Sequence, residues 1–473
     1  MSLNALMPVA PELLLFGLAV VVILMGSFGG RAAVAPLTMV GLIAAFAATF
    51  MVPEGAFVFN DAYEQDALAI LVKQVFLGSA IISLLGSMTL RHPAFRNRSA
   101  EYHFALIASL LGMSVLASAR ELILLFIGFE LMSIPLFLLT GFIKRDPVAP
   151  EAALKFFLVG TTSAAVIVYG MSFVYGVTGS TMIDVIPQAL ADGHPLMMLG
   201  MGLLLAGIGF KIAAFPFHMW APDTYEAAST PFVAWLSVAP KAAGFIVIVR
   251  LFLEGVGPAA LVWLPAVSAL AGITIVTGNL MAIPQQNIKR LLAYSGVAHI
   301  GYMLVGIAAL SASGVGMVLF YLVAYLFGNM GAFLVVEAVS RAEQSDGIDA
   351  YRGLAQRSPL LALAMLLFLL SLGGIPFVAG FWAKLYVFVA AIERGLYVLV
   401  FVGAVLTVVA LYYYLLVARR MYIEPAARVE PVPVPVPLAV AIFVCVAGVV
   451  GMGVYPGPWV AETTRVAEAL FTF

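Results

Sequence analysis

Long apolar segments follow one another along almost the whole chain. Each has roughly 18 to 25 residues, the length that a helix needs to cross a hydrocarbon core of about 30 Å. Of the 473 residues, 63% are hydrophobic and 10% are charged, so the chain is predicted to be an all-α polytopic membrane protein rather than a soluble globular one. The predicted spans, about fourteen in number, are 8–26, 32–51, 66–90, 103–119, 121–142, 151–176, 195–218, 228–253, 259–283, 290–311, 315–340, 359–390, 395–418 and 437–455.

The basic residues between the spans predict the orientation. Loops that follow odd-numbered spans hold Arg31, Arg91, Arg96, Arg98, Lys144, Arg145, Lys289, Arg290, Arg341, Arg352, Arg357, Arg419, Arg420 and Arg428. The opposite side holds only Arg120, Arg250, Arg394 and Arg465. By the positive-inside rule, both termini are expected on the periplasmic side of a bacterial inner membrane. The first apolar run lacks a basic n-region and a cleavage site, so it is expected to be a retained helix.

Several function classes find no support in the sequence. A formal net charge of −1 offers no basic surface for nucleic acid, and no Walker sequence is present. The single cysteine, Cys445, lies within an apolar run, so neither a cysteine-ligated iron–sulfur cluster nor a thiolate zinc site is expected. No metal or cofactor site is predicted in this chain.

Buried lysines are the main functional signal. An ammonium group is costly in hydrocarbon, so a lysine within a span faces a protein interior or a wet cavity and marks an ion or proton pathway. Only seven lysines occur, and five of them lie in or at the edge of predicted spans: Lys73, Lys155, Lys211, Lys241 and Lys384.

Two of the lysine-bearing spans are predicted to be broken. Lys211 comes five residues before Pro216, and Lys384 follows Gly374 and Pro376. Proline and glycine interrupt helices, and lysine beside a broken midplane helix is typical of transporter ion sites. The matching positions of the breaks predict two five-span repeats, spans 4–8 and 9–13, the second inverted, with spans 7 and 12 broken.

Glu130 is the carboxylate expected to pair with a buried lysine. It lies in the middle of span 5, where an unpaired carboxylate is costly, and Lys211 is the predicted partner. A static salt bridge that fixes helix register is the alternative. Lys241 follows Pro240 with no acid nearby in sequence, and burial of an unpaired amine favours exchange of its proton near neutrality.

Two further lysines have simpler alternatives. Lys155 comes four residues after Glu151, so an ordinary helical ion pair or a side chain reaching the membrane surface competes with a functional role. Lys73 follows Asp66 in span 3, and a structural role is favoured there.

Histidines supply possible relays. His299 lies in the middle of a span among small residues, where a neutral imidazole could pass protons between the two halves or serve as a hydrogen-bonded core residue. His218 is followed by Asp223 and Glu226, which could collect protons or lie in a solvated loop.

These segments together resemble the antiporter-like membrane subunits of respiratory complex I, the proton-pumping NADH:quinone oxidoreductase. The resemblance runs over nearly the whole chain and is carried by FELMSIPLFLLTGF, EAALKFFLVG, KIAAFPFHMWAPDTYEAASTPFVAWLSVAPKAAGF, NIKRLLAYSGVAHIGYMLVG and GGIPFVAGFWAKLYVF. Within that family, lysine at position 384 disfavours the type that carries glutamate there. The 18 residues after Tyr455 are too few for the type with a long lateral helix.

The resemblance implies roles for individual residues. Glu130 and Lys211 would form the coupled pair of an inner half-channel, Lys241 the central relay and Lys384 part of the outer half-channel. Lys155 matches the additional lysine of the family's span 6. The predicted organisation is 1–102 as an N-terminal three-helix segment, 103–254 and 255–420 as the two repeats, and 421–473 as a C-terminal helix and tail.

The same resemblance implies partners and leaves alternatives. Other membrane-arm subunits, lipid, protons and water would be the partners, and FMN, iron–sulfur clusters, NADH and quinone would belong to other chains of the complex. A subunit of a multisubunit sodium/proton antiporter or of a membrane-bound hydrogenase is the first alternative. A structural membrane subunit that conducts nothing is the second.

Overall fold

The computed structural model describes residues 3–90, 92–144, 148–254, 262–426 and 428–471, and helices dominate them. In chain order these are α1 (Ala10–Ser27), α2 (Arg31–Ala48), α3 (Ala67–Ser87), α4 (Pro93–Asn97), α5 (Ser99–Ser118), α6 (Leu122–Thr140), α7 (Val148–Thr178), α8 (Ile186–Ala191), α9 (Pro195–Ile212), α10 (Trp220–Ala227), α11 (Thr230–Leu236), α12 (Ala239–Phe252), α13 (Leu264–Ala282), α14 (Ile288–Ala308), α15 (Ala312–Glu343), α16 (Leu354–Arg357), α17 (Pro359–Gly373), α18 (Ala379–Glu393), α19 (Tyr397–Tyr422), α20 (Val436–Val454) and α21 (Gly457–Ala469). A two-stranded antiparallel hairpin, β1 (Ala56–Val58) with β2 (Tyr63–Gln65), lies before α3. Arg91 and Arg145, which entered the orientation argument, fall outside the described residues.

The predicted multi-pass membrane fold is confirmed. Within the described residues, 13 helical segments are long and apolar enough to cross a membrane. The shorter apolar helix α17 and its continuation α18 occupy the predicted twelfth span, which brings the total to the expected fourteen. Boundaries differ from the predicted ones by a few residues, as expected for helices whose ends are set by local capping.

Three spans are enclosed by all the others. The apolar windows of Thr230–Phe252, which comprises α11 and α12, and of α14 are entirely buried, and that of α15 is nearly so. Outer helices such as α19 and α20 instead turn large apolar side chains outward, among them Phe401 and Phe443. The inner spans are therefore shielded from lipid, which is where ionisable groups in a membrane protein belong.

Spans 7 and 12 are broken in the same way. Ala213 directly follows α9 and Gly374 directly follows α17, and these C-cap residues have positive φ, of 61° and 82° respectively. In both cases the next amide reaches back to a carbonyl five residues earlier, from Ala214 to Gly209 and from Ile375 to Leu370. This left-handed helix ending satisfies terminal carbonyls and redirects the chain.

Span 8 also contains a break, which was not predicted. Helix α11 ends at Leu236, Val238 adopts a non-helical conformation (φ −121°, ψ −65°), and α12 begins at Ala239. Pro240 has no amide hydrogen to donate to a preceding turn but fits well in the first turn of a new helix. Lys241 therefore lies in the first turn of a half-helix in the interior of the protein.

Arg250 lies inside span 8, as its place within the predicted range 228–253 implies. It belongs to α12 and is fully buried, with Nη2 2.8 Å from Asp66 Oδ1 and Nη1 3.2 Å from Glu254 Oε2. Glu254 also pairs with Arg120, whose Nε lies 3.1 Å from Glu64 Oε2. Asp66 at the start of α3 and Glu254 just after α12 balance the charge of Arg250, so its guanidinium group can be buried without contact with solvent.

Candidate functional site: a row of buried ionisable side chains

Three of the predicted lysines lie beside helix breaks in the interior. Lys211 is in the last turn of α9, Lys241 in the first turn of α12 and Lys384 in the second turn of α18. All three side chains are buried. The breaks leave backbone groups free at the depth where the ammonium groups lie, which lets polar side chains occupy otherwise apolar spans.

Lys211 faces Glu130 and Ser133 on α6. Its Nζ lies 3.7 Å from Glu130 Oε1 and donates a hydrogen bond of 2.6 Å to Ser133 Oγ. The Ser133 hydroxyl in turn donates to the carbonyl oxygen of Phe129 at 2.6 Å, so its oxygen is free to accept from the lysine. Ser133 was missed in the sequence, although it lies one helical turn after Glu130 and so shares its face.

Lys241 is enclosed by aromatic side chains. Its Nζ has no hydrogen-bond partner among the described residues and lies 5.5 Å from the centre of the Tyr225 ring. A Cβ atom built on Gly296 would come 3.0 Å from Lys241 Nζ and 2.9 Å from Tyr325 Oη. Tyr225 Oη and Tyr325 Oη are likewise buried and unpaired in the described structure. The central lysine thus lies among hydroxyl groups that can accept or donate a proton.

Lys384 is held by the end of the preceding half-helix. Its Nζ donates to the carbonyl oxygens of Leu372 at 2.9 Å and Gly373 at 3.3 Å, and it lies 4.7 Å from the centre of the Tyr302 ring. The carbonyl end of a helix carries partial negative charge, so it stabilises a cation without a carboxylate. Lys211 precedes its break and Lys384 follows its own, so the two lysines are not at equivalent positions of the two broken spans.

His299 lies near the surroundings of both Lys241 and Lys384. Its ring centre is 5.0 Å from that of Tyr325, whose hydroxyl borders Lys241, and 6.1 Å from that of Tyr302, which Lys384 contacts. Nδ1 is 2.8 Å from Tyr321 Oη, and Nε2 is 3.3 Å from Tyr414 Oη. A neutral imidazole accepts at one nitrogen and donates at the other, so this arrangement can carry a proton across the ring. Tyr321 lies in α15 and Tyr414 in α19, and nothing in the sequence around either tyrosine predicts its contact with His299.

Lys155 is not part of this row. Its side chain is half exposed and pairs with Glu151 Oε1 at 2.8 Å and Asp223 Oδ2 at 3.1 Å. Asp223 also pairs with Arg290, which contacts Glu226 at 2.8 Å. Burial acts to raise the pKa of Asp223, but the hydrogen bonds from Arg290 and Lys155 outweigh it and hold that pKa below its usual range. These groups form a surface ion cluster on the side that carries most of the basic loops, called the basic side below.

His218 lies near that cluster without joining its ion pairs. Its ring is buried and packs at 5.7 Å against Phe215 and at 6.3 Å against Tyr294. Its Nδ1 has no hydrogen-bond partner in the described part of the chain.

Lys73 has a different acidic partner from the one considered in the sequence. Its Nζ lies 2.7 Å from Glu12 Oε1 and donates to Gln65 Oε1 at 2.5 Å and Tyr63 Oη at 2.8 Å. Asp66 instead caps the amino terminus of α3. The side chain is fully buried and fully paired, consistent with a structural role; Glu12 could not be linked to it from local spacing.

Metal chemistry was not predicted for this chain. Within the described ranges, no group of three or more His, Cys, Asp and Glu residues is placed to hold a metal ion. Cys445 is buried in α20 as a free thiol.

Sequence comparison finds close relatives. The family described as NADH:quinone oxidoreductase/Mrp antiporter, TM, matches residues 119–410. A protein of Heliobacterium modesticaldum named NADH-quinone oxidoreductase subunit N is 44% identical over 420 residues, covering 87% of each chain. One of the same name from Desulfovibrio desulfuricans is 39% identical over 475 residues and 94% of each chain.

Solved structures agree in fold. A chain of respiratory complex I from Thermus thermophilus is 32% identical, with a TM-score of 0.82 over 95% of this chain and 98% of that one. A chain of the Mrp complex from Dietzia superposes with a TM-score of 0.84 over 100% of this chain and 98% of that one, at 19% identity. At that identity the second similarity concerns the fold alone.

Proposed function

Since the chain belongs to the NADH:quinone oxidoreductase/Mrp antiporter transmembrane family, we propose that it is subunit N of a proton-pumping NADH:quinone oxidoreductase and translocates protons. The observation that carries this proposal is a row of ionisable side chains that runs from α6 and α9 through the enclosed spans to α18. Its members are the half-buried Glu130 and the buried Lys211, Lys241, His299 and Lys384. Buried ionisable groups aligned through a membrane domain are the means by which pumps relay protons.

The Glu130–Lys211 pair is the loading step. At 3.7 Å the carboxylate stabilises the ammonium form of Lys211 by charge, yet the separation is longer than a hydrogen bond. When the carboxylate is neutralised or moves away, the buried ammonium loses its counter-charge and releases its proton more readily. Ser133, which accepts from Nζ, keeps the amine aimed at α6 in both states.

The proton then passes through the centre to the outer half. Lys241 receives it, and its neighbours are hydroxyl groups rather than carboxylates. His299, with Tyr321 and Tyr414 on its two nitrogens, connects the surroundings of Lys241 to Lys384. The helix-end carbonyls at Lys384 stabilise a proton there weakly enough for release to the outside.

Energy for the cycle comes from another chain. Moving one charge outward against about 100 mV costs about 2.3 kcal/mol. We propose that this chain is a non-redox translocase subunit, and that quinone reduction in other subunits drives it. FMN, iron–sulfur clusters, NADH and quinone would bind there.

The proposal includes partners and location. Neighbouring antiporter-like subunits would flank the chain in the membrane arm. Glu130, whose side chain is 24% exposed in the isolated chain, lies where a neighbour can act on it. The excess of basic residues in alternate loops supports the proposal that both termini are periplasmic in a bacterial inner membrane.

Sodium/proton exchange is the second candidate. Its support is the shared fold with the Mrp complex chain, which is weaker than the 44% identity to a subunit N. A sodium-dependent growth phenotype of the deletion strain would favour it.

The test is NADH-driven proton uptake by inverted membrane vesicles that carry Lys211→Ala. We expect sharply reduced pumping while the complex still assembles, because the coupled Glu130–Lys211 pair is lost. Lys144→Ala is the matched control, since Lys144 is exposed in a loop of the same chain. Native gel electrophoresis of the same membranes measures assembly.

Normal pumping by an assembled Lys211→Ala complex would contradict the proposal. In that case sodium/proton exchange in the same vesicles is the next measurement.

A further inference from the structure

A stripe of mostly polar side chains winds along α15. Tyr321, Tyr325, Asn329, Phe333 and Glu337 follow at intervals of four residues, so each lies next to the following one, and the stripe turns by about 40° around the helix at each step. All five are buried. With a rise of 1.5 Å per residue, the stripe spans about 24 Å, most of the thickness of the hydrocarbon core.

Glu337 begins the stripe at the basic side. It is buried, and it borders a cleft of about 620 Å³ that is also lined by His92, Ser340 and Arg341. It forms no ion pair within the described residues; the hydroxyl of Thr230 hydrogen-bonds to its carboxylate, and Lys289, Arg341 and Asp346 act on it by charge. A carboxylate buried at the end of a span without an ion-pair partner is costly unless it serves a function or meets water.

The middle of the stripe leads to Lys241. Asn329 Nδ2 donates to Ser237 Oγ at 2.7 Å, and Ser237 lies at the break of span 8, four residues before the lysine. Asn329 Oδ1 and Tyr325 Oη are buried without a hydrogen-bond partner among the described residues. Tyr325 Oη and Lys241 Nζ lie close to each other, because a Cβ atom at Gly296 would be 2.9 Å from the first and 3.0 Å from the second. Buried polar atoms left without protein partners are normally hydrated, so this corridor can hold water.

Phe333 is the one apolar position of the stripe. Its ring packs at 5.8 Å against Tyr225, whose unpaired hydroxyl belongs to the surroundings of Lys241. Tyr225 in α10 and Thr230 in α11, five residues apart, supply hydroxyl groups near Phe333 and near Glu337 respectively. The Phe333 ring narrows the corridor between Glu337 and Lys241, but the hydroxyl group of Tyr225 remains beside it.

We propose that Glu337 takes up protons at the basic side and delivers them to Lys241 along this α15 stripe. The proposal rests on the proposed function and assigns its uptake entrance, at a carboxylate distinct from Glu130. The step is a simple transfer: the carboxyl group of Glu337 gives its proton to the amine of Lys241 through Asn329, Tyr325 and water, and is reprotonated from the cleft. Beyond Lys241, Tyr321 continues the same face to His299.

The experiment compares Glu337→Gln with Glu430→Gln in inverted vesicles, whose outer surface is the proposed uptake side. Glu430 is exposed on the same side of the protein, so the same chemical change there is the control. Protons taken up per NADH oxidised are measured together with complex assembly, and Lys241→Ala serves as the reference for a blocked relay. We expect Glu337→Gln to fall to the Lys241→Ala level, Glu337→Asp to retain most pumping, and Glu430→Gln to pump normally.

The outcomes separate the two proposals. Normal pumping by Glu337→Gln while Lys241→Ala fails overturns the uptake route and leaves the proposed function intact. Normal pumping by Lys241→Ala as well overturns both. If Glu337→Gln does not assemble, Tyr325→Phe and Asn329→Leu decide the matter, since normal pumping by both would overturn the route.

Discussion

Gly296 matters because of the atoms that a larger residue would meet there. A Cβ atom would lie 3.0 Å from Lys241 Nζ and 2.9 Å from Tyr325 Oη, closer than ordinary carbon contacts. We expect Gly296→Ala to displace both groups and to reduce pumping in an assembled complex. Gly202→Ala in α9 is the control, since nothing lies within 4 Å of its Cβ. Equal pumping by the two variants would show that this space is not required.

Asp223 allows a pH prediction with a defined sign. Its folded-state pKa is lowered because the hydrogen bonds from Arg290 and Lys155 outweigh burial. Its stabilising effect is therefore present above the unfolded-state pKa and is lost only as pH falls through the folded-state pKa. We expect Asp223→Asn to lower the thermal unfolding midpoint equally at about pH 6 and about pH 8, with the difference shrinking only below about pH 4.

The measurement uses purified complex in detergent, with exposed Asp184→Asn as the control. A midpoint difference that already changes between about pH 6 and about pH 8 would contradict the lowered pKa.

At the scale of elements, the two left-handed helix ends differ in residue type. Gly374 has φ +82°, and a Cβ there would come 2.9 Å from Lys384 Cδ, whereas the first repeat places Ala213 at φ +61°. We expect Gly374→Ala to destabilise the protein by about 1–2 kcal/mol and to reduce pumping. Gly451→Ala in α20, where the Cβ meets nothing within 4 Å, is the control for the unfolding midpoint and for pumping. Matching unfolding midpoints for the two variants would refute the strain argument.

The elements also show what local sequence can predict. The spans and the breaks near Pro216 and Pro376 were predicted because hydropathy, proline and glycine act within a few residues. The break before Pro240 was missed because proline after a short apolar turn can equally begin an uninterrupted helix. The tyrosines around His299 lie on helices far away in sequence, and only packing brings them together.

At the scale of the whole molecule, a buried ion pair joins the first and third of the N-terminal helices to each other. Lys73 of α3 pairs with Glu12 of α1 and is fully enclosed. Removing one partner leaves an uncompensated buried charge, which costs about 3–5 kcal/mol. We expect Glu12→Gln to reduce the amount of assembled complex on native gels and Glu12→Gln with Lys73→Met to restore most of it. Glu54→Gln is the control, since its pair with Arg465 is half exposed and worth about 0–1 kcal/mol.

If the double variant assembles no better than Glu12→Gln alone, the loss does not come from an unpaired Lys73.

The predicted division of the chain at 102, 254 and 420 remains a prediction. Helix α3 of the first segment packs closely against α5, α11, α12 and α15, so the segments share one core.

The buried pairing of Arg250 has a consequence for how the chain enters the bilayer during synthesis. Arg250 lies in the last turn of a span that also carries Lys241, and a cation in a transmembrane helix is costly to insert unless it reaches the interface or a partner. Asp66, at the amino terminus of α3, leaves the ribosome earlier, whereas Glu254 follows Arg250 by four residues. One counter-charge is thus already synthesised when the cation arrives. The order of the helices along the polypeptide is therefore itself a means of getting a span with two cations into lipid.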